Sequence, residues 1–286
     1  MSWLFLALVA ALGQSAGDVL SKRLSREVSD LANVWIRFLY AAPFCLAALL
    51  AVEWPSLDRV FWLALAAALP LEITAWLLYL RAIRLSPLGL TIPFLGLTPV
   101  FLLVVPRLIL GEEVSAQGAA GVLAVATGIY VLNLGQARTG LLEPIRAIGR
   151  EPGSRLMVLV AVLFSLTATL GKLLIQHSSP LFVAGFYAPV VALALAPWAA
   201  SRPQVRQEAC RWPGLGLAIG ITVAVMAVAH FAAVSRAPVA YMIGVKRVSL
   251  LLSTLWGWLF FREPQAASRL LGAAVIVAGV FLIAAG

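Results

Sequence analysis

Ten apolar runs, at about 3–21, 32–52, 60–80, 87–110, 114–134, 154–175, 180–200, 213–234, 238–261 and 266–285, take up most of this 286-residue chain. A transmembrane helix needs about 20 predominantly apolar residues, so ten of them consume roughly 200. What is left divides into connectors of about 8 residues, too short for a separate soluble domain. Only 12% of the residues are charged and 62% are hydrophobic, against about 25% and 45–50% in a typical soluble domain, so a water-facing surface cannot be built. The runs are also too long and unbroken for outer-membrane strands, which alternate and span about 10 residues. The expected fold is an all-α integral membrane protein of ten transmembrane helices, multi-pass in the plasma (inner) membrane.

Charges and prolines punctuate the runs: Lys22-Arg23, Glu53-Trp54-Pro55, Arg84 with Pro87, Gly111-Glu112-Glu113, Ser179-Pro180, Arg236 with Pro238, and Arg262-Glu263-Pro264. Pro is tolerated in a first helical turn and helps define the start. The punctuation repeats. Residues 80–132 align without gaps on 231–283 at a shift of 151, matching Pro87 to Pro238, Glu112 to Glu263, Gly121 to Gly272 and Gly128 to Gly279. Upstream, Lys22 falls on Lys172, and Phe38, Tyr40 and Pro43 answer to Phe186, Tyr187 and Pro189. The expected organisation is a first five-helix repeat at 1–134, a connecting loop at 135–153 and a second repeat at 154–286. An odd helix count per repeat inserts the second copy upside down, the inverted-repeat plan of many secondary transporters.

The net charge of +9 does not signal nucleic acid, because the basic residues lie in short connectors rather than on one exposed face. They report topology instead. Connectors after the odd-numbered runs hold fourteen Lys and Arg and the alternate ones three, which places the odd connectors in the cytoplasm and both chain ends outside. Two cysteines, Cys45 and Cys210, imply no disulfide framework. The first run resembles a signal peptide but lacks a basic start and has a counterpart deep in the chain, so it reads as a retained helix.

Four cations lie within or near the runs. A charge at the bilayer centre costs about 2.5–3.5 kcal/mol on insertion scales, so each needs a reason. Lys246 is 8 residues past Pro238, roughly 12 Å along a helix, beyond what snorkelling recovers. Arg247 lies about 100° around from it. The favoured reading is a substrate site, and the alternative a structural ion pair. Glu72, mid-way through the third run, is the one deep acid; it either neutralises one of these cations or carries a coupling proton after burial raises its pKa. Arg37 and Lys172 sit near helix ends and can snorkel. Asp18 is expected to pair locally beside Lys22. His230 is expected to bond backbone, with a binding role as the alternative. Tyr40, Tyr187 and Tyr241 lie within runs, where a hydroxyl needs a partner or a wet cavity. Pro43, Pro70, Pro93, Pro99 and Pro189 are expected to interrupt helices beside a cavity.

The chain's five-plus-five plan, with Gly111-Glu112 after the fourth run, Glu263 after the ninth and Thr98-Pro99-Val100 within the fourth, resembles the drug/metabolite transporter superfamily, in particular its EamA-type members. That resemblance implies a transporter with both ends in the cytoplasm, opposite to the charge count. Gly244-Val245-Lys246-Arg247-Val248 is similar to the Lys-Arg-Val stretch of sugar-phosphate/phosphate translocators, which implies that the two cations bind a substrate phosphate. Catalysis has no support: His177 and His230 are far apart, and no metal-ligand set, cofactor motif or glycine-rich phosphate loop occurs. The expected function is therefore secondary transport of a small anionic or phosphorylated solute, by proton coupling or exchange. The alternative is a flippase for a phosphate-bearing lipid, its headgroup held in a basic pocket. Oligomeric state is not encoded in these features.

Overall fold

The protein is described here by a computed structural model that covers residues 2–86, 91–134, 149–252 and 266–286. These residues form α1 (Ser2–Leu24), α2 (Asp30–Leu49), α3 (Arg59–Leu85), a 3-10 turn (Ile92–Gly96), α4 (Leu97–Phe101), α5 (Val105–Leu110), α6 (Ala116–Leu134), α7 (Pro152–Gln176), α8 (Pro180–Ala200), α9 (Pro203–Arg211), α10 (Pro213–Val234), α11 (Val239–Lys246) and α12 (Ala266–Ala285). Six helices (α1, α2, α3, α7, α8 and α10) are long and apolar enough to cross a membrane, and shorter apolar helices run over Phe94–Leu110, Ala116–Leu132 and Leu271–Ala285. The run at 238–261 is described only as far as residue 252, and Arg262, Glu263, Pro264 and most of the 135–153 connector lie outside the described residues.

Local chemistry sets the ends of these helices. Ser29 Oγ accepts from Ala32 N and Ser179 Oγ from Phe182 N, capping α2 and α8. Lys22 and Arg23 sit in the last turn of α1, where the helix dipole favours cations. Gly111 adopts φ 68° and ends α5 in the left-handed conformation that glycine accepts without a Cβ clash.

Two expectations need correction. Pro43, Pro70 and Pro189 lie inside unbroken helices; one proline removes one N–H, a loss that the rest of a long helix can carry. The fourth run, by contrast, is broken into a 3-10 turn, α4 and α5. Pro93, Pro99 and Pro106 recur there every six or seven residues, so no long stretch keeps its full set of donors. The polar connector after α8 is not a loop either. It folds as α9, burying Val205 and Ala209 and anchoring Glu208, whose Oε2 accepts from Ser29 Oγ at 2.6 Å and Ser29 N at 3.0 Å.

The chain folds as two compact units, each drawing on both sequence halves. The first contains Thr74–Thr169 and Ala237–Gly286. Its centre is the crossing of α6 and α12. A Cβ on Gly121 would meet Gly279 O at 2.7 Å, and one on Gly128 would meet Ile276 N at 2.8 Å and Gly272 O at 2.9 Å. Only glycine lets the backbones come this close. Rising number on α6 meets falling number on α12, so the helices are antiparallel. Gly121 therefore faces Gly279 and Gly128 faces Gly272. Beside them, Ala82, Phe94, Leu95, Met157 and Val160 form a buried apolar cluster.

The second unit contains Ser2–Ile73 and Leu170–Arg236. Here α1 packs on α10, and α2 packs on both α8 and α10. Small residues again set the spacing: a Cβ on Gly13 would lie 3.0 Å from Met226 Cβ, and one on Gly185 2.9 Å from Cys45 O. Phe182 stacks on Phe186 with centroids 5.2 Å apart, and Phe61 and Trp54 pack on Phe182.

Candidate functional site

In the first unit, Lys246 is the last residue of α11, and Arg247 forms the turn between α11 and a helical segment at 248–252. The two cations were expected inside one continuous helix; instead a one-residue turn at Arg247, still in right-handed helical conformation, separates α11 from that segment. Arg247 N donates to Ile243 O at 3.0 Å and Gly244 O at 3.2 Å, closing the last turn. Arg247 is 9% exposed, while Lys246 is partly exposed. The shift of 151 places Arg247 on Gly96, the last residue of the 3-10 turn. Gly96 marks the passage from that 3-10 turn into α4, and Arg247 a single turn residue after α11.

A helix C-terminus favours a cation by typically 0.3–1 kcal/mol. That is less than the roughly 2.5–3.5 kcal/mol cost of a charge at the bilayer centre. The helix end eases the presence of Lys246 and Arg247 without accounting for it.

The start of α11 is held by residues from the α5–α6 connector. Val239 N donates to Glu112 Oε2 at 3.0 Å, a carboxylate at the positive end of a helix. Tyr241 Oη accepts from Ser115 N at 3.0 Å and shares a hydrogen bond with Ser115 Oγ at 3.0 Å. Ser115 Oγ also accepts from Gly118 N at 3.0 Å, within the first turn of α6. Tyr241 thus joins the first turns of α11 and α6. The sequence marked Glu112 only as repeat punctuation. Its position between a helix end and the next helix start, matched by Glu263, was the available signal for a capping role.

The second unit holds the other candidates. Arg37 is 3% exposed, so it does not snorkel as expected. Its Nη1 lies 3.3 Å from Asp18 Oδ1 and 3.4 Å from Ser21 Oγ. Asp18, expected beside Lys22, also accepts from Gln14 Nε2 at 2.8 and 2.9 Å. The reason is tertiary: the sharp return from α1 to α2 turns Arg37 onto the last turns of α1. Tyr40 Oη donates to Ala209 O at 2.9 Å and ties α2 to α9. Tyr187 packs edge-on against Phe231 at 6.0 Å, and Glu72 is near enough to Tyr187 to interact electrostatically. His230 packs edge-on to Phe231 at 5.0 Å. Lys172 is partly buried near the end of α7. Tyr241 and Lys246 thus share α11 of the first unit with Arg247 just past its end, and Glu72 and Tyr187 both belong to the second. Arg37 and Tyr40 have separate local partners. Among the described residues no group of three or more His, Cys, Asp or Glu is arranged to hold a metal.

A sequence profile of the EamA-like transporter family matches residues 1–134 and 152–285. The chain belongs to this family. No curated protein matches it in sequence. A solved crystal structure superposes on it with a TM-score of 0.75 at 19% identity, over 99% of this chain and 97% of that one; at that identity the likeness is one of fold. As an EamA-like transporter, the protein is a multi-pass membrane protein that moves small solutes. Lys246 and Arg247 differ in geometry: a planar guanidinium is suited to bidentate oxyanions, and an ammonium is a compact charge.

Proposed function

We propose that this EamA-like transporter is a secondary carrier of ten transmembrane helices. It would be built as two inverted repeats, 1–134 and 154–286, and move a small anionic or phosphorylated metabolite across the plasma (inner) membrane by alternating access. The observation that carries this reading is the placement of Lys246 and Arg247 at the end of α11, with Arg247 buried. Helix ends commonly border the substrate site of secondary transporters, and two cations there favour an anion.

The test is a thermal-shift screen of the purified protein across phosphorylated and carboxylated metabolites, since a ligand stabilises the state it binds. For a hit, Lys246→Ala is expected to weaken binding tenfold or more while the protein remains folded, because one charged hydrogen bond is worth about 1.5–3 kcal/mol. Arg247→Lys should retain some binding and lose transport. Unchanged affinity in a folded Lys246→Ala protein would leave the cations with a structural role. Competition by lipid-linked headgroups alone, and not by soluble phosphates, would favour the flippase.

Glu72 is taken as a structural, charge-neutralising acid rather than the carrier of a coupling proton. Glu72→Gln is then expected to lower uptake and substrate exchange together. Selective loss of pH-driven uptake, with exchange intact, would instead make Glu72 the coupling-proton carrier.

The charge distribution places the odd connectors in the cytoplasm. Cys210, exposed on α9, reports on one of them, and Cys45 is buried. In a Cys45→Ser background, an impermeant thiol reagent is expected to label Cys210 only after lysis. Labelling of intact cells would reverse the orientation and agree with the family resemblance.

A further inference from the structure

A cavity of about 430 Å³ opens between α2 and α9, in the second unit. Trp35, Leu39 and Pro43 line it from α2, and Arg206 and Cys210 from α9, while the hydrogen bond from Tyr40 Oη to Ala209 O links the two walls. None of these groups takes part in the transport site proposed above. The volume is in the range of ligand pockets, and the wall is mostly apolar, with one charged side chain, Arg206, beside the Cys210 thiol and a Tyr40 hydroxyl already bonded to Ala209 O. Leu39, 37% exposed, continues that wall onto the outer surface of α2.

We propose that this groove is a binding site for an anionic glycerophospholipid, with an acyl chain against Trp35, Leu39 and Pro43 and the phosphate on Arg206. Three observations select that occupant. First, α9 is an amphipathic helix between two apolar spans, bounded by Trp198 and Trp212, and tryptophans at span ends mark the membrane–water boundary. A lipid is the ligand always present there.

Second, the helix is electrostatically sorted. Its acid, Glu208, is committed to Ser29 and to Gln204 Nε2 at 3.0 Å. Burial pushes the Glu208 carboxyl up, but the hydrogen bonds from Ser29 and Gln204 outweigh it and hold the group below its ordinary value. Arg202 and Arg211 lie over the rings of Trp198 and Trp212 at 5.0 and 5.7 Å. Arg206 makes no ion pair among the described residues and lines the groove. One cation beside an apolar channel fits a headgroup that carries a tail; a free oxyanion would leave the apolar wall uncovered. Third, the walls are preorganised. The Ser29–Glu208 and Tyr40–Ala209 contacts already fix α9 against α2, so little ordering opposes binding.

Cys210 sits in the groove and is exposed, whereas Cys45 is buried. The full-length protein in neutral detergent therefore carries its own reporter. Phosphatidylglycerol is expected to slow alkylation of Cys210 by a maleimide about tenfold, the effect of one charge-assisted contact. Phosphatidylcholine with the same chains should slow it several-fold less, because its choline ammonium offsets the phosphate charge that Arg206 would meet. Arg206→Gln should abolish the difference between the two lipids, and Arg206→Lys should restore part of it. Equal protection by both lipids, protection by inorganic phosphate alone, or full protection in Arg206→Gln would overturn the proposal. Native mass spectra give a second measurement: the wild-type protein should retain phosphatidylglycerol that Arg206→Gln loses, and equal retention would refute the site.

Discussion

Gly121→Leu is expected to yield no folded, monodisperse protein, and Gly272→Leu to behave the same way. A Cβ at Gly121 would sit 2.7 Å from Gly279 O and 2.8 Å from Ile283 N. Both obstacles are backbone, so neither can rotate aside. The helices must separate along their whole crossing, which removes the dispersion contacts that hold helices together in a lipid environment without a hydrophobic drive. One extra methylene in a packed core costs about 1–3 kcal/mol, and Leu adds several carbons, so the loss approaches the whole stability of a typical protein. Gly121→Ala should show the lower end of that range as a drop in Tm in detergent. Gly214→Ala is the control, since nothing lies within 4 Å of its Cβ position, and should change stability by less than about 0.5 kcal/mol. Equal effects of Gly121→Ala and Gly214→Ala would show that the α6–α12 crossing does not need glycine.

Asp18→Ala is expected to destabilise the protein by about 3 kcal/mol, the lower end of the range for stranding a buried charge. The lower end applies because the Asp18 side chain is 24% exposed and the Arg37 side chain only 4%, so water recovers part of the loss on one side. The charge left behind belongs to Arg37, which is always protonated. The double variant Asp18→Leu/Arg37→Met should recover most of the stability, since apolar replacement of a whole buried pair is often neutral. A double variant as unstable as Asp18→Ala would show that Arg37 is held mainly by other groups. Thermal unfolding in detergent checks both.

The Lys246–Arg247 candidate site was legible in the sequence as charge in the wrong place. Two adjacent cations 8 and 9 residues past Pro238 are costly in a membrane wherever the remaining helices lie. Their local conformation was less legible. The fourth run carries the prolines that break it, but 239–252 has none, so the turn at Arg247 had no residue-level signal. Tyr40 and Tyr241 were recognised as hydroxyls in need of partners. Those partners, Ala209 O and Ser115, lie on segments 169 and 126 residues away, a distance that no local pattern encodes.

Hydropathy alone determined that this chain is a helical membrane protein, because the cost of an unsatisfied peptide group in lipid is paid residue by residue and needs no knowledge of neighbours. The shared spacing of Gly121–Gly128 and Gly272–Gly279 was legible in the same way, since it stands whether or not the helices meet. The tertiary structure decided which glycine faces which, with Gly121 on Gly279 and Gly128 on Gly272, because antiparallel packing pairs the first of one helix with the second of the other. It decided that Arg37 is buried on Asp18 rather than snorkelling, because the α1–α2 return supplies an acid within 3.3 Å. It also turned a polar connector into α9. An amphipathic segment of nine residues is too short to be a stable helix alone, and it becomes one here through the contacts that Ser29 and Tyr40 make from elsewhere in the chain.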